Sequence, residues 1–226
     1  MHYLSFFQGN AFAMISGLRG KSKGLCRALA KPFAFLGIPP NLVSLLALPL
    51  ALASAFFVLR QEFLFATAFA ALAVCMDLID GSVAELLKKR TAFGNFFETM
   101  VDKAVDFILI GCFVFIYPLA AVLALGLSFL SSYAKPRAAL VIVSDNRDWP
   151  AIGEHGDKLL ILLAGLAISA FFPGIFGIAT MEAALYAIAL ISGIGTIQRI
   201  AYAKKLIEEA ERKGTLLPYL RQGKER

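Results

Sequence analysis

Acidic residues inside an apolar stretch constrain this chain more than any other feature. They are spaced three or four residues apart along two predicted helices, and they are Asp77, Asp80, Glu98, Asp102 and Asp106. Residues at these spacings share a helix face, so each set forms a stripe. A charged side chain deep in a membrane helix costs about 2.5–3.5 kcal/mol on insertion scales. Divalent metal ions offset that cost most simply, because hard cations bind carboxylate oxygens.

The composition is typical of a membrane protein. Hydrophobic residues make up 59% of the 226 residues and charged residues 17%, whereas soluble chains have about 45–50% and about 25%. The formal net charge of +6 lies mostly outside the predicted spans. This charge suits an anionic lipid surface better than a nucleic acid. The three cysteines, Cys26, Cys75 and Cys112, form no CxxC pair, so no disulfide framework or zinc site is indicated.

The hydrophobic segments predict an all-α integral membrane protein with six transmembrane helices. The predicted spans are 41–59, 63–87, 92–116, 119–143, 155–172 and 181–203. Each is close to the roughly 20 residues that crossing requires. Before them, residues 17–37 place Lys23, Arg27 and Lys31 on one side, which predicts an amphipathic helix in the membrane interface. The predicted divisions are an N-terminal segment, 1–37, a transmembrane domain, 38–204, and a basic cytoplasmic tail, 205–226.

The charges of the loops predict the orientation of the chain. Lys and Arg are concentrated in residues 17–37, in the 88–90 loop, in the 144–154 loop and in the tail, whereas the opposite side has Arg60 alone. By the positive-inside rule, both termini lie in the cytoplasm. The charges within the predicted spans then lie toward the cytoplasmic face, where we expect the active site.

The spacing over residues 77–102 resembles the signature of the CDP-alcohol phosphotransferase family, Asp-x2-Asp-Gly-x2-Ala-Arg-x8-Gly-x3-Asp-x3-Asp. The matching positions are Asp77, Asp80, Gly81, Ala84, Gly94 and Asp102. Two positions differ, because Glu85 stands where the family has Arg and Glu98 where it has Asp. Six spans with the motif on the second and third, after an interfacial helix, also resemble the family.

This resemblance implies a phosphotransfer reaction. An alcohol would attack the β-phosphorus of a CDP-linked lipid, such as CDP-diacylglycerol or CDP-archaeol, and CMP would leave. It also implies two divalent ions, Mg²⁺ or Mn²⁺, because paired metals about 3.5–4 Å apart can clamp the attacking and leaving oxygens. The implied metal ligands are Asp77, Asp80, Glu98 and Asp102. Asp102 is also the implied general base for the hydroxyl of the acceptor.

The resemblance further implies a nucleotide site. Its implied residues are Asn41, Ser44, Asp77, Gly81, Ala84 and Glu85. Small side chains at positions 81 and 84 would let the nucleotide approach the helix backbone, and Gly94 permits close helix contact. Glu98 keeps the ligand chemistry of Asp with one more methylene. Glu85 lacks the cation and the five donors of Arg, and its spacing suggests an ion pair with Lys88 or Lys89.

Basic residues near the cytoplasmic ends of the later spans are candidates for binding the acceptor alcohol. They are Lys135, Arg137 and Arg199, and such a set beside metal ions suits a phosphate-bearing alcohol. Their segments resemble the family branch that uses inositol phosphate or glycerol phosphate, although His155 replaces an expected Arg. Small residues in 165–169 and 193–195 would also permit close helix packing, including a homodimer seam.

The same residues also fit other interpretations. Glu85 suggests a catalytically weak relative that binds CDP compounds without turnover. A membrane transporter would use the same charges, although transport does not need the Asp-Gly-x2-Ala spacing. A structural network with Lys103, Lys135 and Arg137 is the alternative for the acidic cluster. Asp106 is more simply explained by a pair with a neighbouring lysine.

Overall fold

The computed structural model describes residues 24–142, 149, 151–175 and 177–217. The predictions for residues 1–23, which include Lys23, for much of the 144–154 loop and for the last part of the tail, 218–226, lie outside the described residues. Within the described ranges the chain forms seven α-helices, and these contain nearly all of its regular structure. The prediction of a helical chain is therefore confirmed.

Most helix bounds lie within about five residues of the predicted spans, and the last helix continues further. The helices are α1 at 24–35, α2 at Pro40–Leu59, α3 at Phe63–Leu86, α4 at Ala92–Gly111, α5 at Pro118–Ala139, α6 at His155–Ser169 and α7 at Thr180–Arg212. A 3-10 helix, Cys112–Phe115, follows α4. The predicted turn between α6 and α7 contains a short antiparallel hairpin. Its strands are β1 at Gly174–Ile175 and β2 at Ile178–Ala179, with Gly174 paired to Ala179.

Local sequence explains where several helices begin. Proline is the first residue of α2 and of α5, where its missing N–H is not needed and its φ suits the helix. The hydroxyl of Thr91 accepts a hydrogen bond of 2.9 Å from the N–H of Gly94 and caps α4. Glu154 and Asp157 form a capping box at the start of α6, which satisfies donors that the helix leaves unbonded.

Among the described helices, four are long and apolar enough to cross a membrane, namely α2, α3, α5 and α7. Many of their large apolar side chains are exposed, among them Leu52, Phe56 and Leu130, as expected for surfaces that face lipid. The chain is an integral membrane protein. Helix α6 has 15 residues, and α4 carries several charges, so for these two helices spanning stays a prediction.

The chain forms two compact units, one ending at Cys112 and the other beginning at Phe113. In the first unit, α2 packs against α3 and α4, and α1 contributes Ala30 to a buried cluster with Val43, Ile79 and Val83. In the second unit, α7 packs against α5 and α6. Buried alanines and serines line both α2–α3 and α5–α7, which lets the helix backbones approach closely.

The small residues predicted to permit close packing pack inside the second unit. A Cβ on Gly165 would lie 2.6 Å from the Cβ of Ala184 on α7. A Cβ on Gly195 would collide with the carbonyl oxygen of Ile152. The close packing predicted for these residues is therefore found within the chain, and a homodimer seam stays a prediction.

Candidate active site

Two of the predicted acidic residues meet between α3 and α4. One carboxylate oxygen of Asp77 and one of Asp102 lie within 4.8 Å of each other, and both side chains are half-buried. Carboxylates at this separation repel each other unless a cation or a proton lies nearby. Such a pair therefore offers hard oxygen ligands from two helices to one region.

Asp80 is the most buried of the four predicted metal ligands, at 2% exposure. The hydroxyl of Ser44 on α2 donates a hydrogen bond to one of its oxygens, and the N–H of Gly81 donates to the other. Buried charge is expensive unless it is hydrogen-bonded, and these two donors offset part of that cost. Ser44 therefore orients Asp80, a contact that was not predicted.

Glu98 reaches from α4 toward α3. A Cβ on Gly81 would lie 4.0 Å from Oε1 of Glu98, so this carboxylate lies against the part of α3 that carries Asp80. Glu98 is half-buried. The additional methylene of Glu, compared with Asp, lengthens the reach of the carboxylate between the two helices.

A pocket of about 240 Å³ opens beside these carboxylates. Its walls come from α2, the end of α3, the 88–90 loop and the start of α4, and they include Asn41, Ser44, Asp80, Gly81, Ala84 and Glu98. The oxygen Oδ1 of Asn41 would lie 3.5 Å from a Cβ on Gly94, so glycine at that position lets α2 and α4 approach. The structure therefore brings most of the predicted nucleotide residues together.

Lys89, Arg90 and Asn95 also line this pocket, although none of them was predicted as a site residue. Nη2 of Arg90 lies 3.0 Å from Oε2 of Glu85, so the partner of Glu85 is Arg90 instead of Lys88 or Lys89. Helical spacing does not predict this pair, because Arg90 lies beyond the end of α3. In the sequence, the only indication of this pair is the basic run at 88–90, directly after the end of α3.

Asp106 also lies on α4, but its side chain contacts a lysine. It is buried, and its Oδ2 lies 2.9 Å from Nζ of Lys103. The structural alternative for this residue is confirmed. The acidic stripe of α4 thus includes Asp102, which lies close to Asp77, and Asp106, which pairs with a lysine of its own helix.

In the second unit, Arg199 of α7 reaches α5. Its Nη1 donates a 2.6 Å hydrogen bond to the carbonyl oxygen of Ser131. Among the described residues, Nε of Arg199 and Oγ of Ser131 are buried without a hydrogen-bond partner. Lys135 lies one turn beyond Ser131 on α5 and is half-buried, whereas Arg137 is exposed. Exposure of Arg137 fits an interfacial cation as well as a ligand-binding one.

The segment before α6 is packed onto α7 near Arg199. The N–H of Ile152 donates a 2.8 Å hydrogen bond to Oε1 of Gln198. Gly153 has a φ of +71°, and a Cβ there would lie 2.8 Å from the carbonyl oxygen of Ile191. Trp149 is 5% exposed and its ring lies 5.3 Å from that of Tyr202. This segment therefore fixes one side of the helix turn that carries Arg199.

Comparisons with known proteins agree with the motif. A family model described as CDP-alcohol phosphatidyltransferase matches residues 38–195. The archaetidylinositol phosphate synthase of Pyrococcus horikoshii is 27% identical over 202 residues, which cover 86% of this chain and 99% of that protein.

Solved structures of one enzyme share the fold. The Mycobacterium tuberculosis phosphatidylinositol phosphate synthase with CDP-DAG bound gives a TM-score of 0.66 at 20% identity, covering 79% of this chain and 92% of that chain. The same enzyme in complex with manganese and citrate gives a TM-score of 0.64 at 20% identity, covering 79% and 88%. The likeness extends over most of both chains.

Proposed function

The chain belongs to the CDP-alcohol phosphatidyltransferase family, and from this membership we propose that it makes a phosphatidylinositol-phosphate type of lipid. The donor would be a CDP-linked lipid, CDP-diacylglycerol or CDP-archaeol, and the acceptor would be inositol phosphate. The names of the Pyrococcus and Mycobacterium enzymes support this acceptor. The observation that carries the proposal is the group of carboxylates beside a pocket that also holds Asn41, Gly81 and Ala84.

We infer that two divalent ions, Mg²⁺ or Mn²⁺, act with these carboxylates. Asp77, Asp80, Glu98 and Asp102 would hold them, because the close approach of Asp77 to Asp102 and the oriented carboxylate of Asp80 fit a hard cation. The manganese complex of the Mycobacterium enzyme supports the choice of metal. When bound, the ions would neutralise charge on the phosphates and polarise the phosphorus.

Other roles in proton transfer and nucleotide binding would fall to side chains of the first unit. Asp102 would accept the proton of the acceptor hydroxyl, which must lie within hydrogen-bond reach of its carboxylate. Ser44 would hold Asp80 in one orientation. The absence of bulky side chains at Gly81 and Ala84 would let the nucleotide approach α3, and Asn41 would meet it from α2.

Arg199 and Lys135 would bind the phosphate of the acceptor. Arg199 has a buried Nε that makes no hydrogen bond within the described chain, and a guanidinium suits planar, bidentate phosphate recognition. Ser131, whose hydroxyl is buried beside it, would add a neutral donor. Arg137 is exposed and would act at the edge of this site.

We also infer how the chain lies in the membrane. All six long helices, α2 to α7, would span it, and α1 would lie in the cytoplasmic interface with Leu25 and Leu29, which are exposed, toward lipid. The distribution of Lys and Arg supports cytoplasmic termini and an active site near that face. The catalytic domain would then extend over 38–204, between the 1–37 segment and the 205–226 tail.

The proposal is tested by measuring CMP release with Mg²⁺ from CDP-diacylglycerol and from CDP-archaeol. Inositol phosphate, glycerol phosphate, serine and inositol are offered in turn. We expect release that depends on inositol phosphate and on the metal. Release with serine or inositol alone would contradict the acceptor assignment, and uptake of a solute without CMP release would favour transport.

Replacing Ser44 with Ala is expected to weaken Mn²⁺ binding about tenfold, because groups that orient a metal ligand typically contribute that much. The measurement is Mn²⁺ titration followed by electron paramagnetic resonance. Ser54→Ala is the matched control, since Ser54 is also buried on α2 and donates a 2.8 Å hydrogen bond to the carbonyl oxygen of Ala66. Equal Mn²⁺ affinities in the two variants would show that Ser44 does not support the site.

A further inference from the structure

We propose that Arg90 is the side-chain cation that binds the diphosphate of the CDP-linked donor, and that Glu85 is the residue that positions it. The inference rests on the proposed function, because it adds residues to the same site. It also gives Glu85 a role, although this residue stands where the family motif has an arginine.

The pocket beside the carboxylates has walls of opposite charge. Asp80 and Glu98 line one part of it, and Lys89 and Arg90 line another. A diphosphate in this pocket would be repelled by the carboxylates wherever no metal ion lies between them. The phosphate oxygens that do not face the carboxylates would need donors from the protein, and a guanidinium offers two parallel N–H groups to a phosphate.

The end of α3 explains how Arg90 comes to line the pocket. The helix ends at Leu86, and Lys88 has a φ of 53°, in the left-handed region that reverses a chain after a helix. The N–H of Lys89 then bonds to the carbonyl oxygen of Ala84 at 2.9 Å. This reversal brings Arg90 back over the last turn of α3, where Glu85 accepts its Nη2 hydrogen bond.

The Glu85–Arg90 pair is poorly explained by stability. The two side chains are 60% and 68% exposed, and ion pairs this exposed contribute little to the stability of a fold. A guanidinium carries five N–H donors, and among the described residues the bond to Glu85 uses Nη2. Glu85 therefore restricts the motion of Arg90 while leaving donors for a ligand.

A second cavity meets the first at Arg90. It is lined by Arg27 of α1 together with Gly81, Ser82, Glu85 and Arg90, and it shares Gly81 and Arg90 with the pocket beside the carboxylates. Arg90 thus stands at the junction of the two spaces. A phosphate there comes either from the diphosphate of the donor, which we favour, or from the headgroup of an anionic lipid.

The test measures the dissociation constant of CDP in detergent with Mn²⁺ present. Arg90→Gln is expected to weaken CDP binding about tenfold, the loss of one hydrogen bond to a charged group. The Arg90→Lys variant should bind CDP with an affinity between those of the unaltered protein and Arg90→Gln, because it keeps the charge but lacks the two parallel N–H groups of the guanidinium. The affinity for Mn²⁺ should not change. In turnover, the KM for the CDP-lipid should rise with little change in kcat.

Arg60→Gln is the matched control. Arg60 forms a comparable exposed pair with Glu62, at 3.3 Å and with 61% and 41% exposure, in the turn between α2 and α3. Its removal should leave CDP binding unchanged. Glu85→Gln should weaken CDP binding less than Arg90→Gln does, and it should have no further effect in an Arg90→Gln background, because Glu85 acts through Arg90.

Three results would overturn the inference. The first is an Arg90→Gln variant that binds CDP as tightly as the unaltered protein does. The second is a Glu85→Gln effect on CDP binding that is equal with and without Arg90. The third is an Arg90→Gln effect that is confined to the stimulation of CMP release by vesicles that contain phosphatidylglycerol. An unaltered protein that neither binds CDP nor releases CMP would remove the proposed function as well. Metal-dependent CDP binding that requires Arg90, without CMP release, would support the inference and contradict the proposed turnover.

Discussion

Replacing Asp102 with Asn is expected to lower the rate of CMP release about a thousandfold, because a positioned general base alone contributes about 10²–10⁴. Asn keeps the size and one oxygen of the side chain, but it cannot accept the proton of the acceptor. Asn is also neutral, so it removes a negative charge beside Asp77, whose carboxylate lies within 4.8 Å of that of Asp102. The measurement is kcat for CMP release, with circular dichroism to confirm the helices.

Asp106→Asn is the matched control for this experiment. Asp106 lies one turn further along α4, is buried and pairs with Lys103 at 2.9 Å. Its replacement should lower the melting temperature, since the half-buried Lys103 loses its counter-charge, but folded protein should release CMP at nearly the original rate. Retention of about a tenth or more of the activity by Asp102→Asn would rule out Asp102 as the base, given that contribution.

The helices were predictable because their signals are local. Apolar runs, the prolines at the start of α2 and α5, and the break after Leu59 each lie within a few residues of the boundary that they mark. Hydropathy marked the end of the last span near 203, whereas α7 continues to Arg212. Polar residues with good helix propensity and i,i+4 pairs, such as Lys204–Glu208 at 3.8 Å, extend a helix beyond its apolar part.

The candidate site was predictable only where spacing along a helix decides which residues share a face. The acidic stripes were identified in this way, and the family resemblance selected Asp77, Asp80, Glu98 and Asp102 from them. The bond from Ser44 to Asp80 joins residues 36 positions apart, and the Glu85–Arg90 pair depends on a chain reversal at Lys88. Neither follows from a periodic pattern. The first contact requires the packing of α2 on α3, and the second requires the backbone conformation of a loop.

Small and aromatic residues show a second limit of the sequence. A glycine at a helix surface predicts that some backbone approaches closely, but it does not identify that backbone. Gly165 and Gly195 were predicted to permit close packing, either within the chain or in a dimer seam, and both pack against segments of the chain. Trp149 fits the composition of a membrane interface, yet it is buried against Tyr202. These side chains are placed by contacts between distant segments.

Replacing Gly195 with Ala should lower the stability of the second unit more than the same substitution at an uncrowded glycine of that unit. A Cβ at this position would collide with the carbonyl oxygen of Ile152 and lie 3.5 Å from Oγ of Ser131. The carbonyl belongs to backbone that is held by Gln198, so it cannot rotate away as a side chain would. Overpacking of this kind costs about 1–3 kcal/mol, which should appear as a lower melting temperature.

The same substitution should also impair the use of the acceptor, because Arg199 lies one turn beyond Gly195 on α7 and contacts Ser131. A displacement of about 1 Å can reduce a rate about a hundredfold, so the expected result is a loss of that order in kcat/KM for inositol phosphate, with CDP binding retained. Gly126→Ala on α5 is the control, since a Cβ there meets nothing within 4 Å and Ala favours a helix. If Gly195→Ala melts at the original temperature and uses the acceptor normally, the segment before α6 does not fix the turn that carries Arg199.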